Sequence, residues 1–332
     1  MEKLKIGVIG TGHLGQLHAK MFRQISNCEL IGIYDSHPDQ LSHVSGDLNV
    51  KAFGSIDEML TAVDAVSIAV TTSAHFQVAE KCLESNKHIF IEKPITSLIA
   101  DGEKLIDMAS RRKLLIQVGH IERFNPALLA VEQFIVNPMF IQSDRLAQFN
   151  PRGTDVAVVL DLMIHDIDII LSLIKSDIAN IDANGVAVVS DNIDIANARI
   201  QFVNGAVANV TASRISQKKM RKMRLFQKDN YISLDFIAGV AEVYRLVPVD
   251  QQLLTPAISF GEIGVGDKKK RVIYEQPEIK EVNALKYELE LFVNSVNENK
   301  TPVVTGGDGL RALKVAEIII GKIEESKVNL EH

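Results

Sequence analysis

Asp161 and His165 stand four residues apart in Asp161-Leu162-Met163-Ile164-His165. In a helix that spacing puts both side chains on one face. A carboxylate so placed orients the imidazole, and an imidazole titrates near neutrality, so His165 is suited to take a proton from a hydroxyl. Asp168, three residues further on, shares that face and is a candidate substrate ligand. Lys93, in Glu92-Lys93-Pro94, supplies a cation. Beside a reacting oxygen it would stabilise a developing alkoxide. With its pKa lowered by burial and a neighbouring positive charge, it would be the base instead. Either assignment describes alcohol oxidation, in which a base takes the O–H proton as hydride leaves carbon. Taken singly, a lysine before proline is usually a solvated loop residue, and an Asp/His pair on a helix is usually a surface pair. The case for chemistry rests on their surroundings.

Gly10-Thr11-Gly12-His13-Leu14-Gly15 has the form G-x-G-x-x-G. Alone it is a weak signal. Here it directly follows the apolar run 4–9 and opens a helical stretch, and Asp35 lies 20 residues beyond Gly15 at the end of the run 29–34. That is the context a dinucleotide-binding loop requires. Gly10 permits the tight turn. Gly12 lets the backbone approach a pyrophosphate at the helix N-terminus, and Gly15 allows the helix to pack closely on the strand. Asp35 can accept from both ribose hydroxyls. A 2′-phosphate would meet its carboxylate with no Arg or Lys at Ser36, His37 or Pro38 to offset the repulsion, so the expected cofactor is NAD. Thr71 and Thr72 follow the run 65–70, with His75 one turn on, and Glu92 and Lys93 follow the run 88–91. Ligands of open α/β sheets bind beyond the carboxyl ends of the strands. Thr11, His13, Leu14, Thr71, Thr72, His75, Glu92 and Lys93 therefore join the three glycines and Asp35 as candidate cofactor contacts.

The short apolar runs 4–9, 29–34, 65–70, 88–91 and 114–118 alternate with helical stretches. Those helices run to residue 25, from Pro38, from the capping box Ser55-Ile56-Asp57-Glu58, over 75–85 and over 98–111. Strands alternating with helices mean βαβ units and a parallel sheet, which predicts an α/β Rossmann domain over residues 1–120. The pattern then changes. Helices are predicted over 126–136 and 156–174. Strand runs 193–203 and 206–215 flank Asn204-Gly205, a strong hairpin signal. Further strands are predicted over 223–227, 231–236 and 241–247, and two helices over 281–297 and 309–325. Residues 121–332 thus read as an α+β domain with a mostly antiparallel sheet.

With the glycine loop, Glu92-Lys93-Pro94 and Asp161 to Asp168 in that order, the chain resembles the glucose-fructose oxidoreductase / inositol dehydrogenase (Gfo/Idh/MocA) family over nearly its whole length. The resemblance implies a large open sheet in the second domain, used for substrate binding and oligomerisation, and a C-terminal helix that packs back on the first. It implies NAD(P)-dependent hydride transfer between nicotinamide and a sugar or cyclitol hydroxyl or ketone, in a homo-oligomer (dimer or tetramer). The family carries Arg-Phe-x-Pro near its substrate pocket, here Arg123-Phe124-Asn125-Pro126. His120 and Arg123 are candidate substrate contacts on that basis, although Asn125 before Pro126 also suits a helix start. Arg152, in the loop ahead of Asp161, is a further candidate for a phosphate or sugar. The string GHIERFNP over 119–126 resembles the UDP-N-acetylglucosamine 3-dehydrogenase-like members. It makes a UDP-N-acetylhexosamine the preferred substrate class, with inositol or a free aldose as the alternative. A non-catalytic dinucleotide-sensing regulator is the other reading, but it would have no need of Lys93 and His165.

Composition narrows the classes further. The chain of 332 residues carries a net charge of −6, which argues against a general nucleic-acid binder. Basic runs at 218–224, expected just ahead of a strand, and at 268–271, expected in a turn or hairpin, are usually solvated faces; the first is a candidate diphosphate contact. Cys28 and Cys82 lie in apolar-periodic segments outside any Cys-x-x-Cys or Cys/His cluster. They are expected to be buried and inert, with no disulfide and no metal site. No apolar run is long enough to cross a bilayer, and Met1-Glu2-Lys3-Leu4-Lys5 leads into a strand rather than a signal-peptide core. A cytoplasmic protein without membrane partners is expected.

Overall fold

The computed structural model describes residues 3–150, 156–252 and 258–328. The chain divides into two units, Met1–Phe124 with Asn283–Lys314, and Asn125–Val282 with Val315–His332. In the first unit β1 (Leu4–Ile9), β2 (Cys28–Tyr34), β3 (Ala65–Ile68), β4 (His88–Glu92) and β5 (Ile116–Gly119) form a parallel sheet of order β2-β1-β3-β4-β5. The connections carry α1 (His13–Phe22), α2 (Pro38–Leu48), α3 (Ile56–Ala62), α4 (Thr72–Glu84) and α5 (Ile99–Arg112). Every residue of β3 is buried, as in a strand covered on both faces. Ile6, Val8, Phe22, Ile33 and Phe90 form the core, which Leu289, Phe292 and Val293 of the returning segment complete.

Local chemistry sets the boundaries. The strand expected over 65–70 stops at Ile68, because Thr71 already stands as N-cap of α4. The strand expected from 114 starts at Ile116, because Leu114 N is spent on Ala109 O at the end of α5. At α3, Ser55 Oγ accepts from Glu58 N at 3.1 Å, as a capping box requires. The return bond to the Glu58 carboxylate comes from Gly54 N, one residue earlier than the box pattern.

In the second unit β6 (Phe140–Leu146), β7 (Ile178–Val186), β8 (Ile195–Phe202), β9 (Val207–Ser213), β10 (Met220–Gln227), β11 (Asn230–Asp235), β12 (Val240–Pro248), β13 (Ile258–Ile263) and β14 (Lys270–Glu275) form one sheet. Its order is β13-β14-β12-β11-β10-β6-β9-β8-β7, antiparallel except for the pair β6 and β9. Register aligns a buried row across six strands: Ile200, Ala208, Ile141, Leu225, Ile232 and Val243. α6 (Pro126–Val131) lies against β11 and β12, and α7 (Ile164–Leu173) against β6 and β9. α8 (Ala284–Asn297) falls in the first unit, and α9 (Gly306–Val328) runs from the first unit into the second, where Ile323 meets Gly185 of β7.

Several expectations need correction here. The helix expected over 126–136 ends at Val131 and continues only as a 3-10 turn, Glu132–Phe134. The helix expected over 156–174 is a π-turn, Val159–Met163, followed by α7. The basic run at 218–224 lies largely inside β10 rather than ahead of a strand. That at 268–271 lies in a hairpin, as expected: it closes a 3-10 turn and opens β14, which pairs with β13. β6, β7, β13 and β14 were not foreseen. β6 shows why: its inward positions are Ile141, Ser143 and Arg145, so no apolar alternation marks it.

Arg145 is inward because Asp166 of α7 awaits it. Arg145 Nε and Nη2 donate to the two oxygens of Asp166 at 2.7 and 3.1 Å, and both side chains are 2% exposed. This two-point pair clamps α7 to the sheet next to His165. Removing one partner strands the other charge, which typically costs about 3–5 kcal/mol. Arg145→Met should lower stability by about that much in denaturant titration, whereas Arg145→Met with Asp166→Leu should recover most of it. Equal loss in the single and double variants would show that the pair does not hold the helix.

Candidate active site

The strand order of the first sheet reverses between β1 and β3, and a crevice opens there at the carboxyl ends of the strands. A cleft of about 530 Å³ occupies it, lined by Gly10 to Leu14 except the buried Thr11, by Tyr34 to His37, and by Ala69 to Thr71. Each glycine has its own reason. Gly10 has φ +90°, and a Cβ there would stand 2.5 Å from Ala69 O. At Gly15 a Cβ would stand 1.8 Å from Gly10 O. At Gly12 nothing lies within 4 Å, so its open side is room for a ligand to meet the backbone. Gly12 caps α1 without any side-chain bond to the first-turn N–H groups. That is the condition in which a helix N-terminus receives an anion. The loop is braced from behind by Gln16 and Gln40, whose amides both donate to Thr11 O.

Asp35 ends β2 at the cleft. Its Oδ2 accepts from Thr11 N and Thr11 Oγ1 at 2.6 and 2.9 Å, and its Oδ1 from His37 N at 2.9 Å. Burial alone would raise its pKa, but these bonds outweigh burial and hold it below the ordinary carboxylate value. These features fit the pyrophosphate and ribose of a dinucleotide. His13, Leu14 and Thr71 are exposed at the cleft, and Thr72 is partly exposed at the first position of α4. His75 is different. It is buried, with Nδ1 2.8 Å from Pro94 O and Nε2 3.3 Å from Val70 O. Its environment is a brace between the loops after β3 and β4, and burial lowers its pKa.

Glu92 and Lys93 leave the end of β4 in a turn with a cis Lys93–Pro94 bond. Both side chains are partly exposed. Burial opposes ionisation of Glu92, yet His18 and Lys93 together hold its pKa below the ordinary value. His18 is the residue that sequence reasoning missed. It is fully buried, with Nδ1 2.8 Å from Ser67 Oγ and Nε2 3.0 Å from Glu92 Oε1. A signal was present, since His18 interrupts the buried stripe Gly15, Ala19 and Phe22 of α1. His120 is buried just past β5, and Arg123 is 3.8 Å from Asp308 within the same unit.

In the second unit Asp161 sits in the π-turn and His165 in the first turn of α7, both partly exposed. Asp168 is buried, 1% exposed. Two loops meet the start of this segment, and a third bond ties the loops after β6 and β9 to each other. Arg214 Nη2 donates to Val156 O at 2.6 Å, Val158 N to Ile193 O at 2.9 Å, and Ser216 N to Ala147 O at 2.9 Å. Asp194 ties the loop at 188–190 by accepting from the N–H groups of Val188, Val189 and Ser190. Burial would raise its pKa, but these bonds and the Ser190 hydroxyl bring it down to about 2. Arg152 lies outside the described residues. Among the described residues no group of three His, Cys, Asp or Glu is arranged to hold a metal ion, and no helix is long and apolar enough to cross a membrane. Cys28 and Cys82 are buried free thiols, pushed up by burial to about 11 and about 12.

The glycine geometry separates folding from binding. Gly15→Ala forces backbone apart and should cost about 3 kcal/mol of stability. Gly12→Ala meets open space and should change stability by no more than about 0.5 kcal/mol. Thermal melts and calorimetric NAD titration check both. Gly12→Ala should melt like the parent and bind NAD at least about tenfold more weakly, because a methyl intrudes where the pyrophosphate meets backbone. Parent-like NAD affinity in Gly12→Ala would remove the cofactor from this loop.

Residues 4–120 match the model of the GFO/IDH/MocA oxidoreductase family, NAD-binding Rossmann fold, and residues 138–232 match its C-terminal domain. The chain is 37% identical to the UDP-N-acetylglucosamine 3-dehydrogenase of Acidithiobacillus ferrooxidans, over 95% of this chain and 96% of that protein. A solved structure of that dehydrogenase superposes with a TM-score of 0.87 at 35% identity, covering 98% of this chain and 99% of the other. The myo-inositol 2-dehydrogenase of Thermotoga maritima is 25% identical over 99% of each chain. A glycine loop with room for a pyrophosphate, an acidic strand end beside it and these matches lead to one conclusion: the chain belongs to the GFO/IDH/MocA family of NAD-binding oxidoreductases.

Proposed function

We propose that this oxidoreductase oxidises the 3-hydroxyl of a UDP-N-acetylhexosamine with NAD. The observation that carries the substrate is the 37% identity to a UDP-N-acetylglucosamine 3-dehydrogenase along 95% of the chain. The string GHIERFNP over 119–126 points the same way. In this reading residues 1–120 hold the cofactor, and 121–332 supply substrate binding and subunit contacts. NAD contributes the hydride acceptor. Gly10 to Gly15 receive its pyrophosphate, Asp35 its ribose, and Thr71 and Thr72 flank it. Asp35 repels the 2′-phosphate of NADP, so NADP binds more weakly.

The protein's own groups move the proton. His165, oriented by Asp161, takes it from the substrate hydroxyl, and Lys93 stabilises the oxygen as negative charge builds. If Lys93 is instead the acceptor, His165 orients the hydroxyl. His120, Arg123, Arg152 and Asp168 hold the sugar nucleotide. A cytoplasmic setting belongs to this reading, since both thiols are free and an NAD-dependent reaction draws on the cytoplasmic cofactor pool.

Nicotinamide absorbance with UDP-N-acetylglucosamine, inositol and free aldoses tests the substrate. Turnover with UDP-N-acetylglucosamine should exceed that with the others; a clear preference for inositol would displace the reading. Lys93→Ala and His165→Ala should each lower kcat by about a hundredfold to ten-thousandfold while leaving the Kd for NAD near the parent value. Asp161→Ala should cost less, because it disorients the imidazole rather than deleting it. Near-parent turnover in both Lys93→Ala and His165→Ala would refute the roles.

The assembly reading rests on the outer face of the second sheet. Phe140, Phe226, Tyr231, Tyr244, Tyr274 and Phe260 form a continuous aromatic row there, with successive centroids 4.7–5.7 Å apart. Phe226 is 39% and Phe260 62% exposed. An exposed aromatic band of this kind marks a contact surface. A second copy of the chain, laid sheet on sheet, covers it. Sedimentation at micromolar concentration should show a dimer or tetramer, and Phe226→Asp with Phe260→Asp should shift it toward monomer. A monomeric parent would refute the assembly.

A further inference from the structure

Ser67, His18 and Glu92 form a buried chain through the first unit. His18 hangs from α1, the helix that the glycine loop opens, and reaches beneath the sheet edge to the end of β4. Ser67 Oγ on β3 lies 2.8 Å from one ring nitrogen, and Glu92 Oε1 lies 3.0 Å from the other. With the Ser67 hydroxyl donating to Nδ1, the tautomer protonated on Nε2 is the one that pairs with the carboxylate, a close contact whose angle departs from a well-formed hydrogen bond. The ring meets Phe90 edge-on at 5.4 Å, and Phe90 meets Phe292 in the same way at 5.9 Å, so an aromatic wall limits its movement. The carboxylate is confined too. At Gly119 a Cβ would stand 2.9 Å from Glu92 Oε1, so Glu92 fills a slot that only glycine leaves open. Its other oxygen, Oε2, lies 3.4 Å from Lys93 N.

We propose that His18 is a positioning residue for the reaction: carried on the glycine-loop helix, it fixes Glu92, and through Glu92 the start of the Lys93 turn. The proposal rests on the reading that Lys93 acts on the substrate oxygen. It adds a mechanical link. One rigid helix begins at the pyrophosphate site and ends its reach at the residue next to Lys93, so the two ends of the site are set against each other by α1 rather than by loops.

The link has an electrostatic consequence. Burial disfavours the Glu92 carboxylate, and the charges and donors facing it are His18 from α1, Lys93 from the turn and, further off, His75 from α4. β5 places Gly119 against it. Without His18, burial is opposed by less, and Glu92 takes up a proton at higher pH than in the parent.

The test uses the full-length protein with NAD and UDP-N-acetylglucosamine, or the best substrate of the panel. His18→Leu keeps the volume and removes both contacts; His18→Gln restores a donor toward Glu92. His18→Leu should lose about tenfold or more in kcat, with KM and the Kd for NAD changed less than about threefold. His18→Gln should recover most of the kcat. Parent-like kcat in His18→Leu, or equal loss in both variants with unchanged melting temperatures, overturns the proposal. Should His18→Leu not fold, Ser67→Ala and His18→Gln decide: a kcat loss in Ser67→Ala greater than that in His18→Gln, with KM near the parent value, supports the chain, and parent kcat in both overturns it. Lys93→Ala is run beside them. If it keeps full turnover, the underlying reading fails; if it is inactive while His18→Leu is unaffected, only the positioning role fails.

Discussion

Of the glycines, Gly15 has the least room: α1 lies so near the loop that precedes it that a methyl group there would stand 1.8 Å from Gly10 O. Much else follows from that contact. Because the helix starts so near the end of β1, its first residues line the crevice where the strand order reverses, with no side chain capping them. Because α1 packs so tightly, His18 one turn later arrives directly under β3 and β4. A single missing side chain thus decides both where a dinucleotide can lie and which interior residue meets Glu92.

The glycine loop was legible in the sequence because its constraints are local: a positive φ at Gly10 and a close approach at Gly15 admit no other residue. The alternation of strands and helices in the first unit was legible for the same reason, since strands buried on both faces read as unbroken apolar runs. The strands that escaped notice owe their place to distant partners. β6 turns Ser143 and Arg145 inward, and only Asp166, 21 residues away in sequence, explains the arginine. The π-turn escaped for a related reason. Its start is tied by Val158 N to Ile193 O, a contact between residues 35 apart that no residue type within Val159–Met163 announces. The assignment of the segment 283–314 to the first unit rests on Leu289, Phe292 and Val293 completing a core whose other members lie hundreds of residues earlier.

Site residues divide along the same line. Asp35, which lines the cleft, could be picked out because a strand end on the carboxyl edge is a position with a known use. His75 shared that position and yet turned inward to two backbone carbonyls. Sequence spacing locates a residue on an edge; it does not say whether the side chain faces the ligand or the neighbouring loop. His18 is the converse case, a polar residue on a buried stripe, where burial itself is the clue to a partner.

Asp35 carries a final consequence. A carboxylate offers about four lone-pair sites. Thr11 N and Thr11 Oγ1 occupy two on one oxygen, and His37 N takes one on the other, with the His37 ring 3.2 Å from the same atom. A ribose diol arriving here mostly exchanges bonds rather than adding them. The Thr11 hydroxyl or the His37 ring must give way for each one formed, so the net gain in affinity from this contact is small. What does not cancel is charge: the carboxylate is negative whichever donor it holds. In the proposed reading Asp35 therefore acts on the dinucleotide more through its charge, against a 2′-phosphate, than through added hydrogen bonds to the ribose, and the backbone amides of the loop carry the rest of the contact.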